Sequence, residues 1–374
     1  MSHQTVKILE LCTSPGLGGL ELYMAKTVQW FAARGVPCAA VISPNTRLAA
    51  WMQEHGVPHR ILRRRSKLLP LIAARELARV IDDQEIDLIH IHWAKDLTLA
   101  VLAKTFCARR VRLAYSRHMK ITRPKHDPYH RWLYSRVDLF LTATRQMLAE
   151  ARANLPLDSS RITHNYLGAP RASGEADCSS VRHSLGLSAD EFLIACVGRI
   201  EPGKMQHIVL QALERLEANG GDAHVAFVGA VFDEGYFGQL QKTVGDRRLD
   251  SRVHFTGFVA QPAPLMACAD VVCLTTAEET FGLVLIEAMH LGVPVIGTAA
   301  GGVLEIIEDQ ESGLLVPPND PDALAVALER LLRDGDLRKS LSEAGRNRAE
   351  RLFDIESHYG RLIELFSNAG SGSD

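Results

Sequence analysis

Short apolar runs alternate with longer amphipathic stretches along the whole chain. In the first half, runs at 6–11, 38–42, 88–92, 111–115 and 139–142 are β-branched or apolar and strand-sized. Between them, 20–34, 68–81 and 147–154 carry apolar residues at helical spacing. The second half repeats the scheme, with strands expected at 193–197, 224–228, 253–256, 270–274 and 293–297 and helices at 205–218, 283–291 and 322–333. Strands that alternate with helices pair in parallel and are covered on both faces. Two such series predict two doubly wound α/β domains, each binding ligands beyond the carboxyl ends of its strands. The stretch 165–190, which contains Gly168, Pro170 and Gly174, reads as the connection and a surface excursion before the second sheet. Domains are therefore expected at 1–165 and 166–355, followed by a closing segment, 356–374, whose tail from Ala369 is expected to be disordered.

A chain of 374 residues exceeds one typical core, which by itself favours two domains. No apolar stretch reaches membrane-span length. The first apolar run contains Lys7 and Glu10, too charged and too short for a signal peptide, so a cytoplasmic protein is expected. The seven cysteines (Cys12, Cys38, Cys107, Cys178, Cys196, Cys268 and Cys273) form no CxxC pair. They read as reduced core thiols rather than a disulfide framework or a zinc site.

Net charge adds a second division. The total of −2 conceals 25 Lys and Arg against 13 Asp and Glu in residues 1–165, a balance of +12, and 17 against 31 in the remainder, a balance of −14. Halves of opposite sign imply different partners. Two basic runs lie in the first half. One is 60–67, ahead of the apolar 68–72; in the other, 117–136, Lys120, Arg123, Lys125 and Arg131 interleave with Tyr129, Trp132 and Tyr134. Cations beside apolar and aromatic groups suit an anionic membrane surface at the inner face of the cell membrane, or an anionic acceptor. No nucleic-acid motif accompanies the charge, and nucleic acid is not an expected partner.

The most informative stretch is Glu278 to Glu287, which follows an apolar strand and opens an apolar helix. Glu279 falls in the loop and Glu287 about two turns into the helix. Gly282 lets a ligand approach the backbone, and the N–H groups of 281–284 offer an anion site. Singly, Glu279 is better explained as a helix-dipole partner and Glu287 as a solvated or salt-bridged helix residue. The run Gly198, Arg199, Gly203, Lys204 changes that balance, because it places two cations directly after the strand 193–197. Such a pair holds a diphosphate and neutralises charge as it leaves. Asp320-Pro321-Asp322, a DxD match, reads as a helix start with Asp320 as N-cap, so no metal site is expected there.

Together, Gly198 and Arg199, Lys204, the Glu279-to-Glu287 spacing with Phe281 and Gly282, and Ala300-Gly301-Gly302 followed by Gly313-Leu314-Leu315-Val316 resemble the retaining GT-B glycosyltransferases of family GT4. Gly18-Gly19-Leu20-Glu21 is similar to that family's glycine-rich first loop, and the resemblance covers nearly the whole chain. It implies two Rossmann-like domains facing across a cleft, with a closing helix at 358–366 that packs on the N-terminal domain. It also implies a metal-independent, retaining, hexosyltransferase-like enzyme without a cofactor, and the basic character of the first half points to a glycan or lipid-linked acceptor, as in surface polysaccharide or lipopolysaccharide synthesis. Carried over by position, Arg199 and Lys204 grip the donor diphosphate, Glu287 the ribose and Glu279 the transferred sugar. Thr280, Phe281, Gly282 and Leu283 form the donor loop; Phe258 and Val259 line the base pocket; Gly18 and Gly19 close over the phosphates. His118 contacts the donor sugar. His90 and His92 match an His-x-His pattern beneath the cleft, for which no third metal ligand suggests itself. The chain departs from the family at Met205, where glycine is usual after the lysine.

The glycine loop at 16–19 is not a dinucleotide fingerprint, because Glu21 stands at the third glycine position and no acid ends the second strand. A nucleotide-sugar epimerase of the same architecture and a non-catalytic nucleotide-sugar-binding protein are the alternatives. An epimerase would isomerise donor without acceptor, and a decayed site would not keep Arg199, Lys204, Glu279 and Glu287 together.

Overall fold

A computed structural model describes residues 6–63, 70–171 and 176–369. The chain divides into two compact units, residues 1–166 with 359–374 and residues 167–358. Arg64, Arg65 and Lys67 of the first basic run, the start of the 68–81 helix, Gly174 and the tail beyond Ala369 lie outside the described residues.

The first unit is built on a seven-stranded sheet: β1 (Ile8–Cys12), β2 (Cys38–Ile42), β3 (Arg60–Ile61), β4 (Leu88–Ile91), β5 (Arg112–Arg117), β6 (Leu139–Thr142) and β7 (Ile162–His164). All pairs are parallel in the order β3-β2-β1-β4-β5-β6-β7. The second unit carries six parallel strands: β8 (Phe192–Val197), β9 (Ala223–Val228), β10 (Val253–Gly257), β11 (Val271–Leu274), β12 (Val295–Thr298) and β13 (Leu314–Val316). Their order is β10-β9-β8-β11-β12-β13. Both sheets are Rossmann-like. Their strand order reverses beside the first strand, so the loops after β1 and β4, and those after β8 and β11, flank the crevice where such sheets bind ligands.

Helices cover both faces because parallel strands present apolar residues on both sides. On the first sheet, Leu9, Leu11, Ile89 and Ile91 pack with Ala74, Leu77 and Ile81 of the helix Leu71–Asp83, while Cys12, Ala40 and Ile42 pack with Met24, Ala25 and Val28 of the helix Gly19–Ala33. Several helices exceed the expectation. Leu97–Phe106 is apolar nearly all round, and Gly335–Leu352 is so polar that only Leu341, Gly345 and Ala349 are buried; neither shows a clear apolar stripe. The DxD stretch starts the helix Pro321–Arg333, with the Asp320 carboxylate accepting from the Ala323 N–H at 2.9 Å.

The last helix, Ile355–Asn368, contributes its residues from Tyr359 onward to the first unit. Tyr359 lies against Trp30 at 4.6 Å and Phe31 at 5.9 Å, and Arg112 donates to the carbonyls of Phe366, Ser367 and Ala369. In the second unit, Cys178 and Cys268 form a disulfide, with Cα atoms 5.1 Å apart. This corrects the expectation of seven reduced thiols. The two residues stand 90 apart, Cys178 opening the helix Cys178–Ser184 and Cys268 directly following the helix Ala263–Ala267, a packing that no spacing rule reveals. Cys12, Cys38, Cys107, Cys196 and Cys273 are free. Among the described residues no helix is long and apolar enough to cross a membrane.

Candidate functional site

In the second unit, the chain leaves β8 through Gly198 and Arg199, makes a 3-10 turn at Pro202–Lys204 and enters the helix Gln206–Ala218. Met205 joins the two in the left-handed region (φ 54°), a conformation that costs a side-chain-bearing residue on the order of 1–2 kcal/mol. The residue at which the family resemblance lapses is therefore one where the backbone favours glycine. Thr275, just past β11, donates to the Lys204 carbonyl at 3.0 Å, tying the loops after β8 and β11 together.

That tie brings two of the expected residues into contact. Lys204 Nζ donates to Glu279 Oε2 at 2.8 Å, and the two side chains remain 23% and 19% exposed, so the pair is accessible to a ligand. Arg199 lies in the same loop as Lys204 and is half exposed. It pairs with Glu201 at 2.8 Å and lies over the Phe232 ring at 4.8 Å. Glu279 itself is held from behind. Gly302 N–H donates to its carbonyl at 2.9 Å, and a Cβ on Gly301 or Gly302 would come within 2.2 Å of the Glu279 carbonyl or 2.4 Å of the Thr280 carbonyl. The Gly-Gly pair is thus required for the close approach that seats this loop.

The remaining donor-side residues divide by environment. Gly282, at φ 99°, caps the helix Leu283–His290, and the Thr280 N–H approaches Glu279 Oε1 at 3.2 Å. Phe281 is buried against Phe353, so its side chain serves the core and only its backbone belongs to the loop. Leu283 and Glu287 are half-buried on that helix. Phe258, beyond β10, is 77% exposed and offers an open aromatic face, with Val259 half-buried beside it.

In the first unit, the loop after β1 is anchored by buried acids. Asp96 accepts from the Thr13 N–H at 2.8 Å and from its hydroxyl. Glu21 accepts from the Ser14 hydroxyl and, at 2.8 Å, from the Gly18 N–H. The residue that breaks the dinucleotide fingerprint is thus the one that holds the glycine loop. Gly18 precedes the helix Gly19–Ala33, and the space around Gly19 is open on the side where a Cβ would point.

Beneath this loop is a group that sequence reasoning missed. Glu10 stands opposite His90 in the β1–β4 register, and neither is exposed. Its carboxylate takes His90 Nδ1 at 2.9 Å on one oxygen and His92 Nε2 at 2.6 Å on the other. His90 Nε2 meets the Ser116 hydroxyl at 2.7 Å, and His92 Nδ1 meets His118 Nε2 at 3.2 Å. Burial opposes ionisation of Glu10, yet the charge and hydrogen bonds of the two imidazoles hold its carboxyl down at about 2. Burial, reinforced by His90, pushes the His92 imidazole down to about 4. His92 is therefore neutral at physiological pH and Glu10 is charged.

Glu10, His90 and His92 also bring three ligand-type atoms within 4.8 Å, supplying the third group that the His-x-His pattern alone lacks. Their nitrogens, however, face the carboxylate at hydrogen-bond distances, so the cluster is satisfied internally. The available signal was a single acid inside a strand of otherwise apolar residues, Ile-Leu-Glu-Leu-Cys.

A cavity of about 1220 Å³ opens beside the same sheet edge. Arg63, Lys95, Arg117, Lys120, Arg123 and Lys125 line it, and no Asp or Glu among the described residues does. Burial and the neighbouring Arg123 and Arg117 hold the Lys125 amine below its ordinary value, the mark of a like-charged cluster.

Comparisons with known proteins agree across both units. Residues 17–170 match the family described as Glycosyltransferase Family 4, and residues 179–348 match Glycosyl transferases group 1. N-acetyl-alpha-D-glucosaminyl L-malate synthase of Bacillus anthracis is 27% identical over 293 residues, 76% of each chain. Phosphatidyl-myo-inositol mannosyltransferase of Mycobacterium leprae is 28% identical over 378 residues, 95% of each. D-inositol 3-phosphate glycosyltransferase of Thermomonospora curvata is 34% identical over 204 residues, 52% of this chain and 47% of that protein. Among solved structures, Anabaena HepE in complex with UDP superposes with a TM-score of 0.85 at 25% identity, covering 97% of this chain and 100% of that one. With both halves matched and the GT-B architecture shared, the chain belongs to glycosyltransferase family 4 and is a retaining, nucleotide-sugar-dependent glycosyltransferase.

Proposed function

We propose that the enzyme moves a sugar from a nucleoside diphosphate to a hydroxyl of a glycan or lipid-linked acceptor that carries an anionic group, in surface polysaccharide or lipopolysaccharide assembly. The observation that carries the donor side is the accessible Lys204–Glu279 pair at the crevice of the second sheet, with Arg199 in the same loop. Arg199 and Lys204 take the diphosphate, Glu287 the ribose, Glu279 the transferred sugar, and Phe258 with Val259 the base. Gly18, Gly19 and the 280–283 loop supply backbone contacts, and His118 meets the sugar. Catalysis is electrostatic and positional. The cations stabilise the leaving diphosphate, the acceptor hydroxyl attacks the face that the diphosphate leaves, and a departing phosphate oxygen takes the hydroxyl proton.

HepE has been crystallised with UDP and with UDP-glucose, which makes uridine the base to try first. The acceptor class is supported by the cation-lined cavity and by relatives whose names contain malate, inositol 3-phosphate and phosphatidyl-inositol. A thermal-shift panel of nucleotide sugars tests the donor reading: a bound donor raises stability by mass action, about 2.7 kcal/mol at 100 times Kd. No shift with any member overturns it. Met119, Tyr129 and Trp132 are exposed among the basic residues of 117–136, which supports an anionic membrane surface as a further partner. Flotation with anionic but not neutral liposomes is expected, and equal recovery with both removes that partner.

A further inference from the structure

We propose that Thr275 and Gln206 are positioning residues that hold the loop from Arg199 to Lys204 in shape, against the conformational preference of Met205, and so set donor affinity. The proposal rests on the reading that Arg199 and Lys204 take the donor diphosphate, and it adds how the two cations are kept in place. The first half of that loop is stitched down by backbone. Gly198 N–H donates to the Val228 carbonyl and Ile200 N–H to that of Ala230, both at 2.9 Å. The two segments run so close that a Cβ on Gly229 would stand 2.0 Å from the Gly198 oxygen.

The second half is held differently. The 3-10 turn Pro202–Lys204 runs into Met205, which sits at φ 54° before the helix Gln206–Ala218. For a residue with a side chain, that region weighs against the ordered loop by about 5- to 30-fold. Two side chains counteract it, both buried. The Thr275 hydroxyl approaches the carbonyls of Lys204 at 3.0 Å and Met205 at 3.3 Å, and so holds both peptides that flank the left-handed residue. Gln206 Nε2 donates to the Arg199 carbonyl at 2.8 Å, tying the start of the helix to the first half of the loop. That contact fixes which way round the amide lies, since its oxygen would otherwise face another oxygen.

Neither tether is what a packed core asks for. Gln206 Oε1 is buried and takes no donor among the described residues. A buried acceptor left in that state costs stability, so the amide is not there to strengthen the core. The core residues Ile208, Val209 and Leu210 follow it closely, and an apolar side chain of similar size would suit position 206 on that account. Thr275 likewise comes directly after the apolar strand β11 and turns its hydroxyl onto the neighbouring loop. The Thr275 tether has a specific opponent, the side chain at 205, and this makes the idea testable. Glycine enters the left-handed region freely, so with glycine there the hydroxyl has little left to counteract.

Calorimetric titration with UDP is the experiment. Thr275→Val, which keeps the shape and removes the hydroxyl, is expected to weaken UDP binding roughly 3- to 10-fold, and Thr275→Ser, which keeps the hydroxyl, to leave it unchanged. In the Met205→Gly background Thr275→Val should cost no more than about twofold. Met205 packs at the edge of the core, so each comparison is made within its own background. Gln206→Leu should weaken UDP binding by a similar factor while leaving the urea midpoint unchanged or higher. Equal losses from Thr275→Val in both backgrounds, or no loss in either, overturn the proposal. So does a lowered urea midpoint with unaltered UDP affinity, which is what a merely structural role predicts. Amide exchange in the UDP-free protein separates the two levels. The N–H groups of Lys204 and Met205 donate to the Glu201 and Pro202 carbonyls, and both should exchange faster in Thr275→Val. Unchanged exchange counts against the tether, whereas faster exchange with wild-type UDP affinity counts against the diphosphate reading.

Discussion

The two units share one topology and use its crevice in opposite ways. In the first, a carboxylate is enclosed with two imidazoles, none of them exposed, and every contact is spent inside the protein. In the second, a lysine and a carboxylate pair at 2.8 Å while remaining 23% and 19% exposed. Desolvation explains the division. A buried ion is kept only when its lone pairs are fully occupied, and it then fixes geometry rather than binding anything new. A partly exposed pair gains little from its own attraction and exchanges partners readily when a charged ligand arrives. One half of the fold therefore encloses its charged groups, and the other leaves a charged pair accessible.

The largest expected effect lies on the second unit. On the proposed roles, Lys204→Ala removes a charged hydrogen bond to the diphosphate and should weaken UDP binding roughly 10- to 100-fold in calorimetric titration. Glu279→Gln should leave UDP binding close to wild type, because UDP lacks the sugar that Glu279 would hold, while kcat falls about 100-fold. Neither change should destabilise the protein by more than about 1 kcal/mol, since the pair is partly solvated. Unchanged UDP affinity in Lys204→Ala would remove the lysine from the site. Loss of UDP binding in Glu279→Gln would mean that the carboxylate shares the lysine's role on the diphosphate instead of holding the sugar.

Sequence reasoning reached these two regions unequally, for physical reasons. The second-unit candidate residues stood out because they lie in two short loops, each directly after a strand that parallel pairing makes wholly apolar. The chemistry of Arg199, Lys204, Glu279 and Gly282 therefore stands out against its flanks. Ten strand positions came through for the same reason, with bounds displaced by at most two residues, whereas the two- and three-residue strands β3, β7 and β13 were missed. The first-unit cluster depends instead on register: Glu10 acquires meaning only when β1 lies beside β4, some 80 residues later. The Cys178–Cys268 disulfide is hidden likewise, at a separation of 90. Met205 is the reverse case. A residue other than glycine takes the left-handed conformation there, which local preference disfavours, and the Thr275 hydroxyl donates to its carbonyl.

A smaller effect sharpens the comparison from the buried side. His92 is held at about 4 in the folded protein against 6.5 in the unfolded chain, so between these values the unfolded state binds the extra proton. Stability must then rise with pH across that window, be fully present above 6.5, and be lost as pH falls. Glu10, at about 2 against 4.5, continues the same sign at lower pH, its contribution present above 4.5 and lost toward 2. One site contributes at most about 1.4 kcal/mol per pH unit. Burial also lowers His207, His254 and His290 in the second unit, so the total slope is shared between units. The His92 share is isolated by difference. Urea unfolding at pH 7, 5.5 and 4.5 should give a wild-type curve steeper than that of His92→Asn by close to one proton. Equal slopes would mean that His92 already takes up its proton in the folded protein.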